Sequence, residues 1–253
     1  MQAIILAAGY GKRLRPLTDS VPKCLVPVGG KPLLVRSLEL LDARGVHDVL
    51  LVVGHMKDKV YQAVGHQFGR MRVSYVENDL YDKTNNVYSL WLARDRLLDD
   101  VLLLECDLCY DASVLDALLA RQAGCNVLLS KYDPSCMDGT VVRVAQDGTI
   151  EELIIKKRQQ KDFAYGDMYK TVNMYYFRRD FLDEYLLAYL DLYVRVHGRQ
   201  SYYELVLGLL IYLGEPRCQA VIVEGGTWCE IDNAEDLRRA EDRFRGGETP
   251  CRD

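Results

Sequence analysis

The chain opens on a short, unbroken apolar run at residues 3–7, closed off by Gly9 and Gly11. Short continuous apolar runs bounded by glycine read as strands covered on both faces. The pattern recurs at Asp48–Val53 and at residues 101–104. Between these runs the period changes. Residues 32–44 place Leu33, Leu34, Leu38 and Leu41 at helical spacing, with Pro32 at the start and Gly45 beyond the end. Lys57–Val64 predicts a short helix, residues 72–76 an alternating strand and residues 86–98 a further helix. Strands alternating with helices predict right-handed βαβ units and a mostly parallel sheet.

After residue 125 the pattern shifts. Residues 127–131, 139–144, 150–155 and 169–177 read as strands of a mixed or antiparallel portion. Residues 181–213 read as two Leu- and Tyr-rich helices broken near His197 and Gly198. A late strand falls at 220–223, and Ala234–Phe244 is a charged closing helix. There is no internal repeat and no linker. The expectation is a single α/β domain over residues 1–245, with halves meeting near residue 125 and a loose tail at 246–253.

With 253 residues, 49% of them hydrophobic, the chain can build a large core. Its formal net charge of -5 gives no general attraction for nucleic acid, so any phosphate must be held locally. No apolar run is long enough for a membrane span, and no basic region precedes the first strand, so the expected location is the cytoplasm. The cysteines are scattered. Cys106 and Cys109 form one CxxC without the partners of a zinc site, which leaves free thiols in a reducing compartment.

The chemistry concentrates after the first strand, in Leu6-Ala-Ala-Gly-Tyr-Gly-Lys-Arg-Leu-Arg-Pro-Leu-Thr followed by Pro22-Lys23. This places it at the carboxyl end of the sheet, where α/β folds bind ligands. Leu6, Ala7, Ala8, Gly9 and Gly11 form the candidate nucleotide loop. Its small residues let backbone N–H groups approach phosphate. Lys12, Arg13, Arg15 and Lys23 add cations. A dinucleotide fingerprint is excluded because position 14 is Leu. A Walker A loop is excluded because Arg13 follows Gly11-Lys12.

The segment resembles the signature of sugar-phosphate and phosphocholine-type nucleotidyltransferases, LAAGxGxRLxPLTxxxPKxL, with Lys12 where the family usually has Thr or Ser. The resemblance continues through Gly30-Lys31-Pro32-Leu33 and the segment at Asp232. It implies a Rossmann-like, three-layer nucleotidyltransferase fold on a mostly parallel mixed sheet. It also implies that Arg13 contacts the triphosphate and that Lys23 contacts the phosphates in the transition state. Arg15 is the second candidate for an anion contact.

Transfer between two phosphates needs negative charge neutralised, commonly by Mg²⁺ on carboxylates. Asp107 ends an apolar strand, where the family carries a Mg²⁺ ligand, and Glu105-Cys106-Asp107 matches its Asp-x-Asp with Glu first. Asp232 resembles the later metal-binding aspartate; its competing role is to cap the last helix. The segment from Glu77 to Trp91 resembles the choline-phosphate and phosphonate cytidylyltransferase branch. There Asn85, Asn86 and Ser89 are candidates for a cytosine edge, with a helix cap as the competing role. Acceptor-phosphate candidates are Lys156, with Lys157 and Arg158 beside it, and Lys170 with Asn173. Trp91 and Trp228 with the tyrosines could cage a quaternary ammonium, whereas Tyr185 and Tyr189 at helical spacing read as core.

The expected activity is transfer of CMP from CTP to a small phosphorylated or phosphonate acceptor, of the phosphocholine or 2-aminoethyl/2-hydroxyethylphosphonate type, with release of pyrophosphate. No catalytic histidine motif is present, and none is needed. The alternatives are a sugar-1-phosphate nucleotidylyltransferase and a non-catalytic nucleotide-sensing subunit. The Leu/Tyr-rich helices offer a surface for a homodimer.

Overall fold

The computed structural model describes residues 1–120, 123–214 and 217–244. The tail expected at 246–253 and Cys251 lie outside the described residues. Among the described residues, ten strands form one mixed sheet. Gln2–Ala7 is central, with Asp48–Val53 parallel on one side and Val101–Glu105 parallel on the other. Met71–Glu77 extends the parallel part.

The change of pattern after residue 125 is real. The long strand Met168–Phe177 runs antiparallel to Val101–Glu105 and to Cys125–Lys131, and its first residues also pair with Val141–Val144. Cys218–Ile222 then adds parallel to Cys125–Lys131. The Met168–Phe177 strand thus binds the two halves into one sheet.

Period-2 alternation sorts side chains into two layers. Ile4 and Leu6 join a core closed by Val87, Leu90 and Ala93, with Leu190, Val206 and Leu210. Ala3, Ile5 and Ala7 face the other core, closed by Leu34, Leu38 and Leu41, by Val60 and Val64, and by Val114, Leu115 and Leu118. The helices Asn86–Ala93, Leu187–His197 and Glu204–Leu213 therefore cover one face. Leu33–Ala43, Lys57–Val64 and Ala112–Leu119 cover the other. The result is the expected three-layer α/β fold.

Some elements differ from the reading of the pattern. The helix expected over 86–98 stops at Ala93 and tightens into a 3₁₀ turn, Arg94–Arg96. Leu97 leaves helical dihedrals there and is buried in the core just before the strand at Val101. Ala112–Leu119 is an additional helix, capped by Asp111, whose carboxylate accepts from the N–H groups of Ser113 and Val114. Two short ladders were also not legible. Leu108–Tyr110 pairs antiparallel with Trp228–Glu230, and Pro27–Val28 with Lys31–Pro32. The first of these builds the site. Among the described residues, no helix is long and apolar enough to cross a membrane.

Candidate active site

A cleft of about 800 Å³ opens at the carboxyl end of the central strand, and Leu6, Ala8, Gly9, Arg13, Lys23 and Asp107 contribute to its wall. At its centre the Lys23 ammonium lies 2.5 Å from Asp107 Oδ2 and 2.8 Å from Asp232 Oδ1. Arg13 Nη2 lies 2.8 Å from the other Asp232 oxygen. The Lys23 side chain is 12% exposed and that of Arg13 67%, so Lys23 is the fixed charge and Arg13 the adaptable one. Burial disfavours the Lys23 charge, but Asp107 and Asp232 outweigh it and hold the ammonium protonated well above the ordinary lysine range. Burial likewise pushes the Asp232 carboxyl up, but Lys23 and Arg13 outweigh it and hold it below the usual range.

The two aspartates meet because the short Leu108–Tyr110 ladder continues past its end, where the Ile231 N–H donates to the Asp107 carbonyl at 2.9 Å. Asp232 is not the helix cap. Asn233 takes that role, its Oδ1 accepting from the N–H groups of Glu235 at 2.9 Å and Asp236 at 3.1 Å. Asp236 reaches back to accept from Asp232 N–H at 3.1 Å and Asn233 N–H at 3.2 Å. This reciprocal cap leaves the Asp232 carboxylate to Lys23 and Arg13.

Gly11 lies under Lys23 at φ 68°, where an added Cβ would sit 3.0 Å from Lys23 Cβ and 3.1 Å from Thr18 Cγ2. The loop is held from below at Gly54, whose hypothetical Cβ would meet the Ala8 carbonyl oxygen at 2.8 Å. Four of the loop candidates do not form the cleft wall. Ala7 is buried in the opposite core and Gly11 supports Lys23. Lys12 stands 5.7 Å from the Tyr10 ring centroid. Arg15 pairs with Asp19 at 2.9 Å and with the Tyr10 hydroxyl.

Asn85, Asn86 and Ser89 all line the cleft, but each is also used by the protein. Asn85 caps its helix by accepting from Asn86 N–H at 2.8 Å. Asn86 Nδ2 donates to Glu105 at 3.0 Å and to Glu204 at 3.5 Å, and its Oδ1 accepts from Tyr203 N–H at 3.0 Å. Ser89 Oγ accepts from Asn78 Nδ2 at 3.1 Å. Asn78, Tyr81 and Thr84 also line this side; they fell in the quoted 77–91 segment without being singled out.

Of the residues expected to meet an acceptor, Lys170 is buried and pairs with Glu230 at 2.9 Å. Asn173 sits at φ 59° where the register of its strand shifts. From there its Nδ2 donates to Glu230 Oε1 at 2.6 Å. Lys156 pairs with Asp138 at 2.7 Å, and Lys157 stands 5.2 Å from the Tyr202 ring centroid. Both lysines line the cleft; Arg158 does not. Trp228 lines the cleft, whereas Trp91 is turned to Asp191 and Arg94. Tyr185 and Tyr189 pack on the core, as their spacing predicts.

Two further acids of the cleft, Glu204 and Glu230, were not singled out from the sequence. Glu105, read as the first acid of an Asp-x-Asp, is held by Asn86 and not by Lys23. Burial, Asp107 and Glu204 push the Glu105 carboxyl well up. Burial takes Glu204 up to about 7, and raises Glu230 despite the opposing Lys170. Among the described residues no histidine lines the cleft.

A glycine loop, two cations and two aspartates at the end of a parallel strand define a phosphate-transfer cleft of the nucleotidyltransferase class. Residues 3–187 match the model of the MobA-like NTP transferase domain, and the chain belongs to that family. It is 35% identical over 245 residues to CMP-5'-(3-aminopropyl)phosphonate synthase of Streptomyces rubellomurinus, covering 96% of this chain but only 39% of that protein. It is 28% identical to choline-phosphate cytidylyltransferase of Streptococcus pneumoniae, covering 96% of this chain and 97% of the other. The solved CTP:phosphocholine cytidylyltransferase from Streptococcus pneumoniae superposes with a TM-score of 0.77 at 25% identity, over 96% of this chain and 98% of that one. UDP-glucose pyrophosphorylase gives a TM-score of 0.79 at 15% identity, over 97% and 98% of the two chains, a likeness of fold alone.

Proposed function

We propose that the protein transfers CMP from CTP to a small acceptor bearing a phosphate or phosphonate, and releases pyrophosphate. The observation that carries this reading is the Lys23 ammonium fixed between Asp107 and Asp232 at the mouth of the glycine loop. The similarity to phosphonate and choline-phosphate cytidylyltransferases supports CTP over other nucleotides.

In this reading the backbone of Ala8 and Gly9 lies along the nucleotide. Arg13, exposed and held by one carboxylate, turns to the triphosphate. Lys23, protonated at any pH the reaction meets, holds positive charge where the α-phosphorus is attacked. An acceptor oxygen attacks in line and pyrophosphate leaves. A phosphate monoester with second pKa near ~6 is already largely dianionic at neutral pH, so no general base is required.

Mg²⁺ fits the same residues. Asp107 Oδ1 is buried without a hydrogen-bond partner, and Mg²⁺ is held by one or two carboxylates together with substrate phosphates. Asp107 and Asp232 are the residues that would hold it, and it would supply neutralisation of phosphate charge.

Incubation with CTP, Mg²⁺ and 2-aminoethylphosphonate or phosphocholine, followed by ³¹P NMR, tests the proposal. A CMP anhydride of either acceptor supports it. Formation of a nucleotide sugar from a sugar 1-phosphate, with neither of these acceptors used, would place the chain in the sugar branch instead.

A further inference from the structure

The strand Asp48–Val53 runs parallel to Gln2–Ala7, with Val53 beside Ala7. The residues that follow it therefore stand next to the glycine loop. Gly54 permits a close approach, since a Cβ there would meet both the Ala8 carbonyl oxygen and Tyr81 Cβ at 2.8 Å. His55 comes next. Its N–H donates to the Ala8 carbonyl at 3.2 Å. Its ring stacks on Tyr10, with centroids 4.1 Å apart and planes 26° from parallel. It also meets the ring of Tyr81 at 5.6 Å, and Tyr81 lines the cleft. The imidazole further hydrogen-bonds the Thr18 main chain. Nε2 is buried without a partner, which leaves Nδ1 to make that bond.

One residue thus ties the start of the loop, at Ala8 and Tyr10, to its far end at Thr18. The tie continues inward. Thr18 is fully buried, and its hydroxyl donates to the Gly11 carbonyl at 2.9 Å. Gly11 in turn lies under Lys23. Arg15 Cζ stands 5.1 Å from the Tyr10 ring centroid, and its guanidinium donates to the Tyr10 hydroxyl. His55 itself is 8% exposed. A phenyl ring would fill this place without a buried, unpaired nitrogen, so packing alone does not call for histidine here.

We infer that His55 is a positioning residue of the nucleotide loop: from behind, and without touching substrate, it holds the segment from Ala8 to Thr18 in the shape that receives the triphosphate. The inference rests on the reading of that loop as the nucleotide site. A loop ordered in advance takes none of its ordering cost from the binding of the nucleotide. Releasing His55 therefore weakens CTP and leaves acceptor binding to the CTP complex unchanged.

The test measures three quantities on the intact chain and on His55→Phe, His55→Asn and His55→Ala. They are the Kd of CTP with Mg²⁺ by calorimetry, the KM of phosphocholine or 2-aminoethylphosphonate at saturating CTP, and Tm. His55→Phe keeps the stack on Tyr10 and loses the Thr18 bond. His55→Asn keeps an amide N–H for Thr18 and loses the stack. Each is expected to weaken CTP by about 5-fold, the order of one aromatic pair or one hydrogen bond. His55→Ala loses both, and the product is about 25-fold. The acceptor KM should not change. A series in which Tm falls while CTP affinity holds overturns the inference, as does one in which CTP affinity and acceptor KM weaken together; either leaves His55 a packing residue. The Phe and Asn variants decide the matter if His55→Ala does not fold. If the unaltered protein binds UTP or dTTP in place of CTP, the CMP-transfer reading fails, and the same series measured with that nucleotide decides the role of His55.

Discussion

Lys23 and Asp107 form an ion pair of 2.5 Å whose side chains are only 12% and 16% exposed. Such a pair is weak evidence for stability, since desolvation offsets most of the attraction, but removing one partner strands the other. Lys23→Met leaves both aspartates with only Arg13 nearby. We expect a loss of ~3 kcal/mol of stability and of turnover by about three orders of magnitude. Asp107→Asn keeps the shape of the site and should separate the two effects, with Tm nearly retained and turnover lost. Urea unfolding together with single-turnover kinetics checks this. Near-normal turnover in Asp107→Asn would remove Asp107 from the chemistry.

Gly11→Ala tests the loop beneath Lys23. The position has φ 68°, and the new methyl would press on Lys23 Cβ at 3.0 Å. The backbone cost alone is ~1–2 kcal/mol. Because the displaced atom belongs to Lys23, kcat should fall more than a stability loss of that size explains. Thermal unfolding and steady-state kinetics on one preparation distinguish the two. A variant with lowered Tm and normal kcat would mean that the loop does not position Lys23.

Much of this was legible in the chain, and the reasons are local. Residues 3–7 are a continuous apolar run next to glycine, so the central strand and its loop could be read directly. Asp107 could be placed because it ends an apolar strand; Asp232 could be placed only through the family resemblance of its segment, since its position before a charged helix reads equally as a cap. What the pattern does not carry is the three-residue ladder that joins them. Leu108–Tyr110 and Trp228–Glu230 are too short for period-2 alternation to show, and they pair across more than a hundred residues. Glu204 was invisible for another reason: at the start of a Leu-rich helix it reads as an ordinary first-turn acid, and only the packing of Asn86 against it shows that it is buried. Asn85 and Asn86 could be read as base contacts or caps. The structure shows the cap at Asn85 and a floor strut at Asn86.

The pH dependence of stability follows from Glu204. Its folded-state pKa, pushed up to about 7 by burial, lies above the unfolded value of ~4.3. The folded state therefore holds the proton more tightly, and the protein loses stability as pH rises through this window, by up to ~4 kcal/mol, with no further loss above it. Glu204→Gln lacks the titration. Its Tm relative to the parent protein should rise between pH 5 and pH 8, which thermal unfolding across that range would show. A constant difference would mean that Glu204 is ionised throughout.

The reciprocal cap at Asn233 and Asp236 makes a milder prediction. Asn233→Ala removes the acceptor for the N–H groups of Glu235 and Asp236 and should cost ~1 kcal/mol. Since Asp232 is the adjacent residue, the apparent affinity for Mg²⁺ should weaken several-fold while kcat at saturating Mg²⁺ changes little. A magnesium titration of activity reads this out. Unchanged Mg²⁺ dependence alongside a lowered Tm would confine the cap to stability.

The central claim is that this cleft moves CMP from CTP to a non-sugar phosphate or phosphonate. Pyrophosphate release with Mg²⁺ tests it most directly, with CTP, UTP, dTTP, ATP and GTP each offered with phosphocholine, 2-aminoethylphosphonate, 2-hydroxyethylphosphonate and sugar 1-phosphates. The account predicts release with CTP and a non-sugar acceptor, and none when Mg²⁺ is chelated. Release only with sugar phosphates, or nucleotide binding without any release across the panel, would contradict it.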